Sequence, residues 1–482
     1  MNSEKGEEWN EDELHSVHQL QAIFNPQSVA VIGASLNPWK PGSLLVKLLR
    51  EMGFGGKIAP INPAGNGKEL HGEKFYGSVK EVPYPVDVAA VIISPPDVPG
   101  VVADCLEKGV KGVIINSEGF AESGEEGAKY QRQIEEMART KKMRIFGPNT
   151  TGIIDTQSRL TTSYFVDQSM MKPGSLSFVA QSGIFAGALL KHLGSLPHMG
   201  IRKAIGLGNK VDVDEADALN FLSVDEGTKV VAMYLEGIKR GHAFLRAARR
   251  ATREKPVVVL KGGRTEEGAR ASASHTASLA VNDCVFRGAI AQGGLVEVET
   301  IQELVETLKA FHFLPALKGK RLGVITFSGA QGILAIDACD RHGMERARFS
   351  TTTQERLMTA LTHRSKARNP VDVYPDALHY GYDKIYLFVL EVLQEDPNVD
   401  AVLLVAGALA NAEFFSPLIE MVRAKVTKPL VVSLLGPRPD MEASRKLFDE
   451  HKIWTAPDPD LAVKILSKMY RYHCWKDSQI GP

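Results

Sequence analysis

At 482 residues the chain is too long for one hydrophobic core and implies roughly three domains of ~150 residues each. Its 57 Lys+Arg balance 57 Asp+Glu, so no whole-chain field gathers nucleic acid or an anionic membrane, and neither is expected as a partner. No apolar run approaches the ~18 residues needed to span a bilayer, and the acidic N-terminus lacks the hydrophobic core of an export signal, so the cytoplasm is the expected location.

Residues 1–21 read as a solvated, flexible tail leading into a first helix. Beyond them, short β-branched runs alternate with amphipathic stretches: "SVAVIGAS" (28–35), "KIAPIN" (57–62), "DVAAVIIS" (87–94), "GVIINS" (112–117) and "RIFGPN" (144–149). Continuous apolar strands separated by helices indicate a parallel sheet covered on both faces, so 22–150 reads as a Rossmann-like domain. A second cycle runs from "PGSLSFVAQSGIFAGALLKHL" through "VVAMYLEGI" and "KPVVVLKGG" to "GGLVEVETIQELVETLKAF", giving a domain over 151–315. The turn-rich "FLPALKGKR" (313–321) reads as a linker into a third cycle over 316–482, with strands in "RLGVITFSG", "DAVLLVAGALA" and "KPLVVSLLG". The predicted fold is therefore α/β, with three consecutive Rossmann-like or flavodoxin-like parallel-sheet domains. The four cysteines (Cys105, Cys284, Cys339 and Cys474) show no ligand spacing, so neither a metal site nor a disulfide framework is expected. Cys105 and Cys339 lie in apolar helical patterns and should be buried.

Several strand ends carry chemistry. The first βα turn, "VIGASLNPWKPGS", lacks GxGxxG, yet Gly33, Ala34 and Ser35 can present backbone N–H groups to phosphate; a plain structural turn is the alternative. Lys68, after the second strand, suits a phosphate better than a ribose diol, which argues against a nicotinamide dehydrogenase. Gln181-Ser182-Gly183 stand at a strand-to-helix junction, where Ser182 can cap and the helix dipole favours an anion. Glu236 ends an apolar strand, where parallel α/β folds place their sites, although a bare strand-end Glu is more often a solvated or capping carboxylate. His275 lies in "ARASASHTASLA" (269–280), a small, polar stretch read as a loop; an imidazole there is an idle surface group or a nucleophile free to move between sites.

Taken together and in order, "SVAVIGAS", "GPNTTG", "QSGIFAGALL", "GLGNKVDVDEAD", "YLEGI", "KPVVVLKGGR" and "SHTASLA" resemble the α subunit of the ADP-forming (NDP-forming) acyl-CoA synthetases, relatives of succinyl-CoA synthetase. The resemblance runs from about residue 22 to the end. It implies acyl phosphate formation from acyl-CoA and phosphate, then phosphorylation of a histidine, then transfer to ADP. His275 lies where that family has its phosphohistidine, Glu236 matches the carboxylate that orients the imidazole, and Gln181, Ser182 and Gly183 open the phosphate-holding helix. Coenzyme A would lie with its phosphates near Gly33, Ala34, Ser35 and Lys40, its adenine end near Asn62 and Pro63, and its pantetheine arm along Ser94, Pro95, Asn116, Ser117 and Glu118. The third domain resembles the C-terminal domain of the succinyl-CoA synthetase β subunit, which implies a second phosphate-facing helix starting near Gly407, Ala408 and Asn411. ADP/ATP with Mg would bind a separate ATP-grasp β subunit in an α2β2 assembly, with a small carboxylic acid or its acyl-CoA as substrate.

Three positions depart from the family pattern: Ala277 replaces the usual Gly, Thr150-Thr151 replace Cys-Leu or Thr-Pro, and "TFSGAQG" and "VAGALANAEF" carry fewer Gly and Pro. The last two leave the acyl group open. A CoA-binding regulatory protein that kept the fold and lost turnover is the competing reading; retention of His275, Glu236 and Ser182 favours the enzyme.

Overall fold

Runs of Val, Ile and Ala form strands whose side chains are buried on both faces, and the intervening amphipathic stretches form the covering helices. The computed structural model describes residues 9–167, 172–276, 283–362, 367–408 and 411–479. The chain divides into two compact units, Met1–Glu299 and Thr300–Pro482.

In the first unit β1 (Ser28–Ile32) and β2 (Lys57–Ile61) are followed by a small hairpin, β3 (Glu69–Leu70) with β4 (Glu73–Lys74), then β5 (Val88–Val91), β6 (Gly112–Ile115) and β7 (Arg144–Phe146). The five-stranded parallel sheet has the order β2-β1-β5-β6-β7. A second sheet is built from β8 (Ile153–Asp155), β9 (Leu160–Thr161), β10 (Pro173–Ala180), β11 (Ile201–Gly206), β12 (Val230–Leu235), β13 (Val257–Lys261) and β14 (Val296–Val298), in the order β14-β13-β12-β10-β11-β8-β9. It is parallel except at one edge, where β8 and β9 run antiparallel. A tight turn makes that edge: Asp155 Oδ1 accepts the Gln157 N–H at 2.8 Å, so the chain folds straight back instead of crossing over.

The N-terminal segment departs from the expected tail. Residues Glu11–Phe24 form a helix opened by an Asn10–Glu13 capping box, with Val17, Leu20, Ile23 and Phe24 buried. Apolar residues at helical spacing give it a core face. Its inward polar residues are paired: Glu13 meets Arg250 at 2.7 Å, and Ser16 donates to Asp217 at 2.7 Å, while Glu11 and Asp12 are exposed. Phe24 packs against Phe146 from the first sheet's last strand and against Phe221 beside the second sheet, with ring centroids 6.4 and 4.8 Å apart. One core thus serves both sheets.

The second unit holds β15 (Arg321–Thr326), β16 (Glu345–Arg346), β17 (Val371–Asp372), β18 (Ala401–Gly407), β19 (Leu430–Leu435) and β20 (Thr455–Ala456). They form a parallel sheet in the order β16-β15-β18-β19-β20, with β17 also pairing β15. The helix Ile301–Phe313 packs on the C-terminal helix Pro459–Gln479, and Phe311 meets Tyr472 edge-on at 5.4 Å. Cys105 and Cys339 are buried as expected, and burial pushes both thiols up to about 12.

Candidate active site

In the first sheet the chain leaves β1 for β2 on one side and returns to β5 on the other, which opens a crevice at the C-terminal strand ends. Gly33 ends β1 at φ +95°, and a Cβ there would stand 2.1 Å from the Ile92 carbonyl oxygen, so only glycine fits. Asn62 ties the neighbouring turns together: its Nδ2 donates to the Ala34 carbonyl at 2.8 Å, and its Oδ1 accepts the Ala64 N–H at 3.0 Å. A cavity of about 360 Å³ results, lined by Gly33, Ile61, Asn62, Pro63 and Ile93, with Asp97 and Asp104 also on its wall. Asp104 is paired with Lys80 at 2.7 Å.

The other first-domain candidates do not line this cavity. Lys40 and Lys68 are exposed; Lys40 opens the helix Pro41–Glu51 without a side-chain cap bond, and the hydroxyl of Ser35 accepts the Asn37 N–H at 3.1 Å. Ser94 and Pro95 form a 3-10 turn after β5, and Glu118 is exposed. Two members of the expected pantetheine group are engaged by the fold instead. Ser117 Oγ donates to the Ile93 carbonyl at 2.6 Å and accepts the Ile93 N–H at 3.1 Å. Asn116 is buried and turned toward the second sheet, donating to the carbonyls of Thr150 and Thr162 at 3.2 and 3.1 Å.

The second sheet brings its candidates together. Gln181 follows β10, is 3 % exposed, and its Oε1 accepts the backbone N–H groups of Glu236 and Gly237 at 3.0 and 3.1 Å. This fixes the chain beyond β12 beside the start of the helix Gly183–Ser195, whose N-cap Ser182 makes no side-chain cap bond. Gly183 lies close to Thr151, because a Cβ would meet the Thr151 methyl at 2.8 Å. Glu236 is 6 % exposed, and its Oε1 accepts the Tyr234 hydroxyl at 3.2 Å. A helix N-terminus and a buried carboxylate therefore share one strand-end edge, an arrangement suited to holding an anion beside a protonated imidazole nitrogen.

Three contributors escaped the sequence reading. Lys210 is buried, pairs with Glu215 at 3.0 Å and donates to Gln181 Oε1 and the Gly237 carbonyl at 3.3 and 2.8 Å. It lies in the "GNK" turn with a φ of +56°, and a Lys five residues before a Glu in "GLGNKVDVDEAD" was the available signal. Tyr234 stands two residues before Glu236, hence on the same strand face, and burial followed by the Glu236 charge pushes its hydroxyl up to about 12. Gly262 follows β13, and a Cβ there would stand 2.6 Å from the Tyr234 hydroxyl. A larger cavity of about 710 Å³ opens at the opposite end of β11, but Arg202 and Lys203 on its wall are already paired with Asp225 and Asp155, so it is separate from this edge.

His275 corrects one expectation. Residues Glu266–Thr276 form a helix, so the stretch read as a loop is helical as far as Thr276; the histidine side chain and residues 277–282 lie outside the described residues. Ala269, Ala271 and Ala273 are strong helix formers, Glu266 and Glu267 suit the N-terminal turn, and Arg270 pairs back to Glu267 at 2.9 Å. This helix rises from the end of β13 and packs beside the 3-10 turn Ala121–Ser123 of the first domain.

The second unit corrects another. Gly407 ends β18, and the Ala408 N–H already donates to the Leu435 carbonyl at 2.9 Å, so it is not available to a phosphate. Residues 409–410 lie outside the described residues; Asn411 then caps the short 3-10 turn Ala412–Phe415, and the α-helix begins only at Ser416. Pro417 explains the late start, since a residue without an N–H is favoured in a helix's first turn.

Residues 27–156 match the family described as a CoA binding domain, 173–311 the succinyl-CoA ligase like flavodoxin domain, and 322–478 the Ligase-CoA domain. The chain is 38 % identical over 461 residues to acetate–CoA ligase [ADP-forming] II of Archaeoglobus fulgidus, covering 95 % of this chain and 68 % of that one. It is 37 % identical to the α subunit of acetate–CoA ligase [ADP-forming] I of Pyrococcus furiosus, covering 95 % and 98 %. Among solved structures, the dinucleotide-forming acetyl-coenzyme A synthetase 1 of Ca. Korarchaeum cryptofilum, in complex with phosphate and ADP, superposes with a TM-score of 0.87 at 30 % identity, covering 96 % of this chain and 98 % of that one. Among the described residues no helix is long and apolar enough to cross a membrane.

Proposed function

The chain belongs to the family of ADP-forming acetate–CoA ligases and related acyl-CoA synthetases, and from that premise we propose that it is an α subunit converting acyl-CoA, phosphate and ADP to carboxylic acid, CoA and ATP through a phosphohistidine at His275. The observation that carries the proposal is the strand-end edge of the second sheet. There Gln181 fixes the backbone of buried Glu236 beside the open helix start at Ser182, and the helix bearing His275 rises from the adjacent strand.

Domain 22–150 would hold CoA in the crevice at Gly33, Asn62 and Pro63, where the missing Cβ of Gly33 lets a ligand approach the backbone. Domain 151–315 would carry the phosphoryl transfer, and 316–482 would complete the ligase. Phosphate attacks the thioester carbonyl, releasing CoA and leaving acyl phosphate. The imidazole of His275 then attacks phosphorus: an N–P bond forms, the acyl O–P bond breaks, and the carboxylate leaves. Glu236 holds the proton on the other ring nitrogen, and the N–H groups at Ser182 and Gly183 face the phosphoryl oxygens. Positioning and electrostatics supply most of such a transfer.

An ATP-grasp β subunit binding ADP and Mg, in an α2β2 assembly, is the proposed partner. Its support is the near-complete match to a relative named as a subunit alpha, set against the longer single-chain relative. The regulatory reading has no comparable support.

The test is incubation with labelled phosphate and a panel of acyl-CoAs. Acid-labile, base-stable label on the wild type, absent from His275→Asn and reduced in Glu236→Gln, is expected. The acyl-CoA supporting most label identifies the substrate. Label that persists in His275→Asn would overturn the proposal, as would a chain that binds CoA yet takes no label when the β subunit is supplied.

A further inference from the structure

Tyr234 and Glu236 leave β12 on the same face, and the phenol reaches forward to Glu236 Oε1 at 3.2 Å. Across the neighbouring strand, Leu260 pairs with Tyr234, and Gly262 lies two residues beyond it on the same side. A Cβ at 262 would meet the phenol oxygen first, at 2.6 Å, then the Tyr234 Cζ at 3.3 Å and the Glu236 Cγ at 3.5 Å. Gly262 has no positive φ demanding glycine. Its lack of a side chain is explained by the space the tyrosine hydroxyl occupies.

We propose that Tyr234 is a positioning residue for histidine phosphorylation: its hydroxyl holds Oε1 of Glu236 so that Oε2 is the oxygen offered to the imidazole, and Gly262 keeps that hydroxyl in place. The inference rests on the proposed role of Glu236 and adds the device that sets its orientation. A free carboxylate turns readily about its last torsion, so a donor locked on one oxygen removes that freedom before the histidine arrives. The hydroxyl is suited to the task because burial and the adjacent carboxylate keep it protonated, so it can only donate to the charged oxygen.

The experiment measures phosphate incorporation at His275 from acyl-CoA in Tyr234→Phe, Gly262→Ala and the double variant, with CoA binding and melting temperature recorded for each. Loss of a hydrogen bond to a charged group predicts about tenfold slower incorporation in Tyr234→Phe, with CoA affinity and melting temperature unchanged. Gly262→Ala should slow the wild type similarly yet add nothing in the Tyr234→Phe background, because the atom it displaces is gone. Tyr234→Phe should likewise add nothing in the Glu236→Gln background. Wild-type rates in Tyr234→Phe, or an equal Gly262→Ala penalty in both backgrounds, would overturn the inference while leaving the function intact. Full incorporation in Glu236→Gln would remove the premise and the inference together.

Discussion

The crevice of the first sheet and the strand-end edge of the second are built by opposite means. The crevice is shaped mainly by backbone and missing atoms: Gly33 against the Ile92 carbonyl, and Gly42 against the carbonyl of Gly33 at a Cβ distance of 2.3 Å, with Lys40 and Lys68 left exposed. The second edge is shaped by polar side chains, with buried Gln181, Lys210, Glu215 and Glu236 and half-buried Tyr234 joined in one network. A binding crevice tolerates varied surroundings so long as the backbone can approach its ligand. A site that must hold charge during a transfer needs every buried polar group matched, since an unmatched one is costly in low dielectric.

That contrast sets the order of expected effects. His275→Asn should lower turnover on the order of 10³-fold or more with little change in CoA affinity, measured by coupled ATP formation; turnover that survives would detach the second edge from the chemistry. Lys210→Met should cost about 3 kcal/mol of stability, because Glu215 stays buried without its cation. Denaturant midpoints would show it, and Glu215→Gln in the same chain should restore part of the loss. Gly33→Ala should cost ~1–3 kcal/mol through its positive φ and the clash with Ile92, and should shrink the thermal shift given by added CoA. Ser117→Ala should cost about 1 kcal/mol and leave CoA affinity alone, since its hydroxyl bonds Ile93; weakened CoA binding would return Ser117 to the ligand. The smallest effect belongs to Lys40→Ala, with about a threefold loss of CoA affinity at low salt that fades at high salt.

Much of this organisation could be read from the chain alone, and the places where reading stopped share a cause. The strands from Ser28–Ile32 to Leu430–Leu435 were visible because buried parallel strands are written as local apolar runs. Gln181, Ser182, Gly183 and Glu236 could be singled out because strand ends are where such folds gather their sites, and the structure brings them to one edge. The N-terminal helix was read as a tail because Glu13 and Ser16 find their partners, Arg250 and Asp217, more than 200 positions away. Asn116 and Ser117 fell near the right strand end, yet their bonds to Thr150, Thr162 and Ile93 come from packing that no motif records. The segment holding His275 looked like a loop because its small residues lack an apolar face, although its alanines favour the helix it forms as far as Thr276.

The sequence by itself determined the layered α/β plan, the order of the cycles and the positions of the strand ends, because each is written in local runs of the chain. Only the tertiary structure decided which side chains complete the second edge. Lys210 beneath Gln181, and the empty space at Gly262 beside the Tyr234 hydroxyl, come from different strand ends, and only the assembled sheet sets them side by side.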